Sequence, residues 1–578
     1  MATQPETTVL DLFRDAAGPG GWSDAPDRLA PKLTDWRGQK TGTSPLLLLP
    51  RDTETLARIV RIANETGTPL VPQGGNTGLV GAGVPEADGR AVLVSMDRMN
   101  RIRALDATGF TVVAEAGVIL ETLHKAAEDA DCMFPLSLGA KGSATVGGLI
   151  STNAGGVQVL RYGNMRAQVI GLEAVLPDGS ILDQLTPLRK DNTGYDIKQL
   201  LIGAEGTLGF VTAASLRLVP APREMATAFV ALDDPHAALT LLARLKAATG
   251  DNLDSFELIP RHGIDLVLQH IPGARDPLSD VYPWYVLVEA TSAMAGETQR
   301  QALETGLAAA FEDGLVRDAA LAENRAQGLD FWRLREELPE AERLDGPSVK
   351  HDVSVPVSDM PRFMEEATRI IEADWPGTQV MAFGHLGDGN VHFNVKTAEP
   401  GPRTELMARR YEVSDQIYDI VVRSGAAVRA SEMDTGIGAN VGFARRAYSG
   451  TKSPVASFNT ESCPLEMSKW APCNASRPLP SRIWTQGNVR RLESETLTPS
   501  RSRAERSSVG DCPCFLPTTR SRAPSSIDIQ FAMNSASVWR AASWSRHAWI
   551  PPQPECPMTM MCLTRMLSTA NSSAALTP

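Results

Sequence analysis

Four glycines within the eleven residues Val71-Pro72-Gln73-Gly74-Gly75-Asn76-Thr77-Gly78-Leu79-Val80-Gly81 constrain this chain more than any other stretch. An apolar run, Thr68 to Val71, should enter the loop as a strand. Glycine reaches positive φ and carries no Cβ, so successive amides can converge there into a concave site for an anion such as a phosphate. A plain surface turn has the same composition, so the loop must be read with the rest of the chain.

The 578 residues leave room for roughly three to four domains with substantial cores. A net charge of -12 and a pI near 5.3 argue against a nucleic-acid or anionic-membrane partner, while a local basic pocket for a small anion stays compatible. No stretch has the length and apolarity of a membrane span, and Met1 to Gly21 carries acids rather than a basic start and an apolar run; the expected location is the cytoplasm. Cys132 is the only cysteine before Cys463, which excludes a disulfide framework over most of the chain. The late Cys512-Pro513-Cys514 lacks zinc-finger spacing, and His547 is the only late histidine, so no zinc module is expected there.

Residues 1–45 read as an N-terminal segment broken by Gly and Pro. Asp52 or Thr53 then caps a helix in which Leu56, Ile59, Val60 and Ala63 repeat on one face until Gly67. Strands are expected at 91–94, 111–114 and 171–176, with a helix containing Leu120, Leu123 and Ala127. Beyond Pro220-Ala221-Pro222 the glycine loops cease. Helices at 236–248 and 297–312 alternate with strands at 256–259 and 285–289, as in a cap domain packed on another domain. The fold class is α+β.

A second glycine-dense stretch runs from Pro135 to Gly163. It includes Ser137-Leu138-Gly139, Thr145-Val146-Gly147-Gly148, Thr152-Asn153-Ala154-Gly155-Gly156 and Arg161-Tyr162-Gly163-Asn164. Four such turns exceed what chain reversal needs, and Ser137, Thr145 and Asn153 offer hydrogen bonds to a polar ring or phosphates. A third cluster, Gly203-Ala204-Glu205-Gly206-Thr207-Leu208-Gly209, precedes a strand. Together and in this order the three motifs resemble the flavin-binding domain of the vanillyl-alcohol oxidase/PCMH superfamily, in its D-2-hydroxyglutarate and D-lactate dehydrogenase branch. The resemblance implies a two-subdomain PCMH-type FAD-binding domain at 46–222 and an α+β cap at 223–455. Pro72, Gly74, Gly75, Asn76, Thr77 and Gly78 would hold the FAD pyrophosphate. Ser137, Gly139, Thr145, Gly148, Asn153, Gly155, Gly156 and Gly163 would line the isoalloxazine and ribityl regions, with Glu205 and Gly206 close by. Some relatives attach FAD through a histidine in the first loop; none stands there here, so the FAD is expected to be non-covalent.

Arg333, Arg335 and Arg343 lie in an acid-rich helical stretch, where arginines ordinarily form a solvated face. In the resembled family an arginine and a lysine fifteen residues apart clamp the substrate carboxylates, and Arg335 and Lys350 match that spacing. A threonine that often follows the arginine is replaced by Pro339. The sharpest chemical signature is Phe383-Gly384-His385-Leu386-Gly387-Asp388-Gly389-Asn390-Val391-His392-Phe393-Asn394, two histidines flanking a glycine-rich turn that packing alone does not require. The resemblance implies that His385 and His392 bind a divalent metal such as zinc, with Asn394 supporting the substrate. The implied reaction takes the hydroxyl proton to a base and the Cα hydride to flavin N5. Reoxidation then requires a carrier such as an electron-transfer flavoprotein, quinone or cytochrome. The expected partners are this carrier, a hydroxyacid and a second copy in a homodimer. A nicotinamide acceptor is disfavoured, since no strand–Gly-x-Gly-x-x-Gly–helix unit is evident.

The family completes its site with a Glu-His-Gly motif, whereas this chain reads Ser431-Glu432-Met433-Asp434 before Gly436-Ile437-Gly438. Glu432 stands for the metal-binding acid and the histidine is missing. The alternative reading is therefore a flavin-binding but catalytically impaired protein or a non-catalytic oxidase subunit. A third is another flavoenzyme on the same fold, an alcohol oxidase or cell-wall precursor reductase. From 456 to 578 Ser, Arg, Pro and Trp accumulate without apolar period, as in a disordered tail or a displaced reading frame. Arg482-Ile483-Trp484-Thr485-Gln486 can be encoded as CGG-ATT-TGG-ACC-CAA, which from its third nucleotide gives Asp-Leu-Asp-Pro, an element the family carries near its C-terminus. Resequencing the gene tests the displacement, which an intact frame with the same codons excludes.

Overall fold

The computed structural model describes residues 6–398, 404–424 and 427–428; Glu432, the Gly436-Ile437-Gly438 stretch and the tail lie outside them. Asp52 caps the helix Thr53–Thr66 by accepting the Thr55 amide at 2.8 Å, and Gly67, at φ 67°, ends it. The expected apolar face, Leu56, Ile59, Val60 and Ala63, is buried against a four-stranded sheet. There Leu47–Leu48, Val92–Ser95 and Leu70–Gln73 run parallel, with Trp22–Ser23 antiparallel at the edge. The first glycine loop leaves the end of Leu70–Gln73.

A second sheet is antiparallel, in the spatial order Ile102–Asp106, Thr111–Glu115, Phe210–Arg217, Val169–Val175, Ile181–Gln184. Its core takes Leu120, Leu123 and Ala127 from the helix Leu120–Asp129. Glu173 joins the two layers. Thr53, at the start of the first helix, and Thr212, on the neighbouring strand, each donate a hydroxyl to its Oε1 at 2.7 Å. Arg103 spans from Glu173 to Glu115, at 3.1 Å from each, and the Glu115 side chain is wholly inaccessible. Burial acts upward on both carboxyls. Hydrogen bonds from Arg101 and Arg103 to Glu115, and from Arg103, Thr212 and Thr53 to Glu173, outweigh it and hold both below the usual carboxylate range.

The cap is an eight-stranded antiparallel sheet, ordered Asp318–Leu321, Glu224–Leu232, Trp284–Ser292, Leu253–Pro260, Thr378–His385, Asn390–Thr397, Asp352–Ser354, Ala427–Val428. The helices Pro235–Ala248, Thr298–Glu312, Met360–Asp374 and Arg410–Arg423 contribute to the core on one face. Arg261–His270, Arg325–Glu336 and Leu338–Asp345 contribute to the other. Successive strand residues point to opposite faces, so Ala382, Val391, Phe393 and Val395 enter the first core and Met381 and Phe383 the second. The same alternation sends His385, His392 and Asn394 to the second face. The fold is α+β, as expected.

Replacing Arg103 by Met is expected to cost about 3 kcal/mol near neutral pH, because two buried carboxylates lose a shared cation. Both carboxyls lie below their ordinary 4.5, so the stabilisation is full above that pH and fades as pH falls through the depressed values. The urea midpoints of variant and wild type should therefore converge as the pH falls below 4.5 through the depressed values. A gap independent of pH would refute the ionic origin.

Candidate active site

The three glycine loops meet, and they meet at their glycines. A Cβ on Gly74 would lie 2.3 Å from Thr145 Oγ1, one on Gly75 1.9 Å from the Ser143 carbonyl oxygen, and one on Gly206 2.5 Å from Pro72 Cγ. A Cβ on Gly156 would come equally close to the Ser137 carbonyl oxygen, at 1.9 Å. At these four positions the close approach is thus to another chain segment. At Gly78 and Gly139, in contrast, a Cβ would meet nothing within 4 Å, so both border open space. One non-glycine residue in each loop takes the left-handed conformation: Asn76 at φ 52°, Asn153 at 49° and Glu205 at 51°. Such residues are uncommon, and three on converging loops mark a surface whose backbone direction matters.

The side chains refine the expected roles. Asn76 Nδ2 donates to the Thr34 carbonyl at 2.8 Å, and Asn153 Oδ1 accepts the Arg166 amide at 2.9 Å, so one polar atom of each amide anchors it within the protein. Thr145 Oγ1 is buried among these loops without a hydrogen-bond partner, and burial raises the Glu205 carboxyl. A cradle of close-packed glycines, flanked by open space and holding an orphaned hydroxyl, fits a phosphate-bearing cofactor such as FAD.

The second face of the cap sheet holds the other half. Glu257, on the strand Leu253–Pro260, pairs in register with His385. The helix Arg325–Glu336 brings Arg335 over the same spot. Glu257, 1% exposed, accepts from Arg335 Nε at 2.8 Å and meets His385 Nδ1 at 2.5 Å. Burial acts to raise its carboxyl, but the charges and hydrogen bonds of His385 and Arg335 overcome that and hold it at about 2. The Arg335 guanidinium lies 5.0 Å from the Phe383 ring centroid, and no hydrogen bond among the described residues uses its two terminal nitrogens. Arg333 and Arg343 instead bond outward, to the Pro272 carbonyl and to Glu340.

Lys350 and Asn394 converge on a second buried acid. Glu342 Oε2 accepts from Lys350 Nζ at 2.7 Å and Asn394 Nδ2 at 2.9 Å, while its Oε1 is buried without a partner. His392 lies with Nδ1 3.9 Å from Asp352 and its ring 5.4 Å from that of His385. Each histidine thus has a carboxylate near Nδ1, as ligating imidazoles commonly do. Among the described residues, however, no group of three His, Cys, Asp or Glu is placed to hold a metal, and Glu432 lies outside them. The two histidines alone do not make a metal site. His351, between the Phe393 carbonyl and Ser414, is pushed down to about 4 by burial and belongs to the sheet's packing.

The resemblance named Arg335, Lys350, His385, His392 and Asn394, which the structure brings to one face, but it left out Glu257, Glu342 and Asp352. Only Glu257 left a trace, as the lone acid in the apolar run Phe256-Glu257-Leu258-Ile259. Gly75→Ala should weaken FAD binding about tenfold or more, because the methyl must displace Ser143. Cofactor content after desalting measures this, and full retention would remove the loop from the site.

Two family descriptions match the chain: "FAD binding domain" over residues 44–184 and "FAD linked oxidases, C-terminal domain" over residues 221–430. The chain is 40% identical over 392 residues to the mitochondrial D-2-hydroxyglutarate dehydrogenase of Arabidopsis thaliana, covering 68% of this chain and 69% of that one. It is 34% identical over 414 residues to the D-2-hydroxyglutarate dehydrogenase of Xanthomonas citri pv. viticola, covering 72% and 84%. Among solved structures an alkyldihydroxyacetonephosphate synthase shares the fold, with TM-score 0.59 and 16% identity over 78% of this chain and 85% of that one. The plant relative is named mitochondrial, against the expected cytoplasm, and the bacterial one carries no such name. No helix among the described residues is long and apolar enough to cross a membrane.

Proposed function

Because the chain belongs to the D-2-hydroxyglutarate dehydrogenase family of FAD-linked oxidoreductases, we propose that it oxidises a D-2-hydroxyacid, of the D-2-hydroxyglutarate or D-lactate class, to the 2-oxoacid. The observation that carries the reading is the Arg335 fork: Glu257 fixes Nε, and the terminal nitrogens remain for a substrate carboxylate. Lys350 adds a point charge and Asn394 a donor from the same face, both steadied by Glu342. FAD, when bound, supplies the acceptor for the Cα hydride at its N5. His385 and His392 face the hydroxyl end, where Glu257 fixes the ring of His385 through Nδ1 and directs Nε2 toward the substrate. Non-covalent FAD on the loops at Gly74–Gly78, Ser137–Gly163 and Glu205–Gly206, an external electron carrier and a homodimer belong to the same proposal.

A second reading, a flavin-binding chain with impaired chemistry, is favoured by Met433, which stands where the family has histidine. The full chain is purified, its flavin spectrum recorded, and D-2-hydroxyglutarate and D-lactate added without oxygen. Bleaching supports oxidation, a persistently oxidised flavin supports the second reading, and absence of flavin contradicts both. In a competent enzyme Arg335→Met should weaken hydroxyacid binding by about ten- to a hundredfold, the loss of a charge-assisted fork, and an unchanged affinity would take Arg335 out of the site.

A further inference from the structure

We propose that Arg161 is a positioning residue: it locks the segment leaving the second flavin loop onto the strand that carries Glu257, and so sets the registry between flavin and hydroxyacid. The proposal rests on the function proposed above for both ends of the site.

Arg161 stands five residues beyond the end of the Thr152-Asn153-Ala154-Gly155-Gly156 loop, on the short helix Val159–Tyr162. Its side chain reaches into the cap. Nη1 lies 2.6 Å from Asp254 Oδ1, 3.1 Å from the Thr291 carbonyl and 2.9 Å from Thr291 Oγ1; Nη2 lies 2.6 Å from Asn252 Oδ1. Asp254 is 1% accessible, and its other oxygen accepts the Thr291 hydroxyl at 2.8 Å. One planar guanidinium thus ties together the start of Leu253–Pro260 and the end of Trp284–Ser292, a geometry that lysine cannot reproduce. Burial pushes the Asp254 carboxyl up even beside Arg161, so without the arginine that acid would have still less reason to keep its charge.

Two further contacts run the same way. Ser255 donates its hydroxyl to the Val157 carbonyl at 2.8 Å. A Cβ on Gly387, in the turn between His385 and Asn390, would come within 2.8 Å of Leu160 Cδ2, so this helix seats against the histidine turn. Glu257 stands three residues beyond Asp254 on the same strand, about 10 Å along it. The arginine therefore fastens the flavin-side segment at one end of a strand whose middle, at Glu257, holds both Arg335 and His385. Hydride transfer needs reacting atoms near 3–3.5 Å, and a displacement of about 1 Å can slow it about a hundredfold.

The test compares Arg161→Lys, Arg161→Met and Asp254→Asn with Arg244→Met, which removes an exposed cap ion pair with Asp313. Anaerobic stopped-flow reduction by D-2-hydroxyglutarate separates the limiting rate from substrate affinity, and amide hydrogen exchange is followed at 153–163 and 385–390. The expected result is retained FAD, a limiting rate lowered about tenfold or more and affinity within about threefold, with Lys less affected than Met. Exchange should rise in both segments, and Arg244→Met should change neither measure. A wild-type limiting rate, whether or not the melting temperature falls, would overturn the proposal. If wild-type flavin is not bleached at all, the proposed function fails and exchange decides the pin: a rise transmitted to 385–390 supports it, and a rise confined to 153–163 overturns it.

Discussion

The site depends on one carboxylate buried inside an eight-stranded sheet. Removing an ion from water costs several kcal/mol, so a group such as Glu257 is tolerable only with counter-charge and hydrogen bonds around it. Arg335 and His385 supply these, one to each oxygen. The arrangement binds three residues into one decision: loss of any of them leaves the others misdirected or uncompensated. It also places a carboxylate-binding fork and an imidazole side by side, and oxidation of a hydroxyacid needs one group for the acid and one for the hydroxyl. Glu342 repeats the device for Lys350 and Asn394.

The cofactor half works by the opposite principle. Its loops are shaped by missing side chains, with glycines at 74, 75, 156 and 206 lying where any Cβ would collide with a neighbouring segment. Close backbone packing fixes the loop paths without occupying the space that a dinucleotide needs. Glu173, hydrogen-bonded to Thr53 and Thr212 and paired with Arg103, holds together the two layers from which the loops spring. The fold therefore brings a cradle built from backbone to a sheet face built from charged side chains.

Much of this was legible in the residues. Period and capping located Thr53–Thr66 and its buried face, because a helix's register and its Asp52 and Gly67 signals are local. The three glycine loops were recognisable through resemblance, and the structure explains their composition through contacts between loops. Glu257 and Glu342 were not legible. Glu257 lies 78 residues from Arg335 and 128 from His385, and no local pattern announces a partner at such a distance. Asn76 and Asn153 also have partners outside their own loops: one atom of each amide engages Thr34 or Arg166, and no local pattern announces those contacts. Arg335 was separated from Arg333 and Arg343 by its spacing from Lys350 through the resemblance, and the direction its helix turns it, toward Glu257, was not legible.

In the proposed reaction the charged cap face delivers a hydroxyacid's Cα hydrogen to a cofactor lying on the glycine cradle. The most direct measurement is a single anaerobic turnover with D-2-hydroxyglutarate carrying deuterium at C2, compared with the unlabelled acid. Bleaching of the bound flavin should slow several-fold with deuterium, because cleavage of that bond and reduction of the flavin are one event. Bleaching at a rate indifferent to the label, in a protein shown to bind both acids equally, would contradict it.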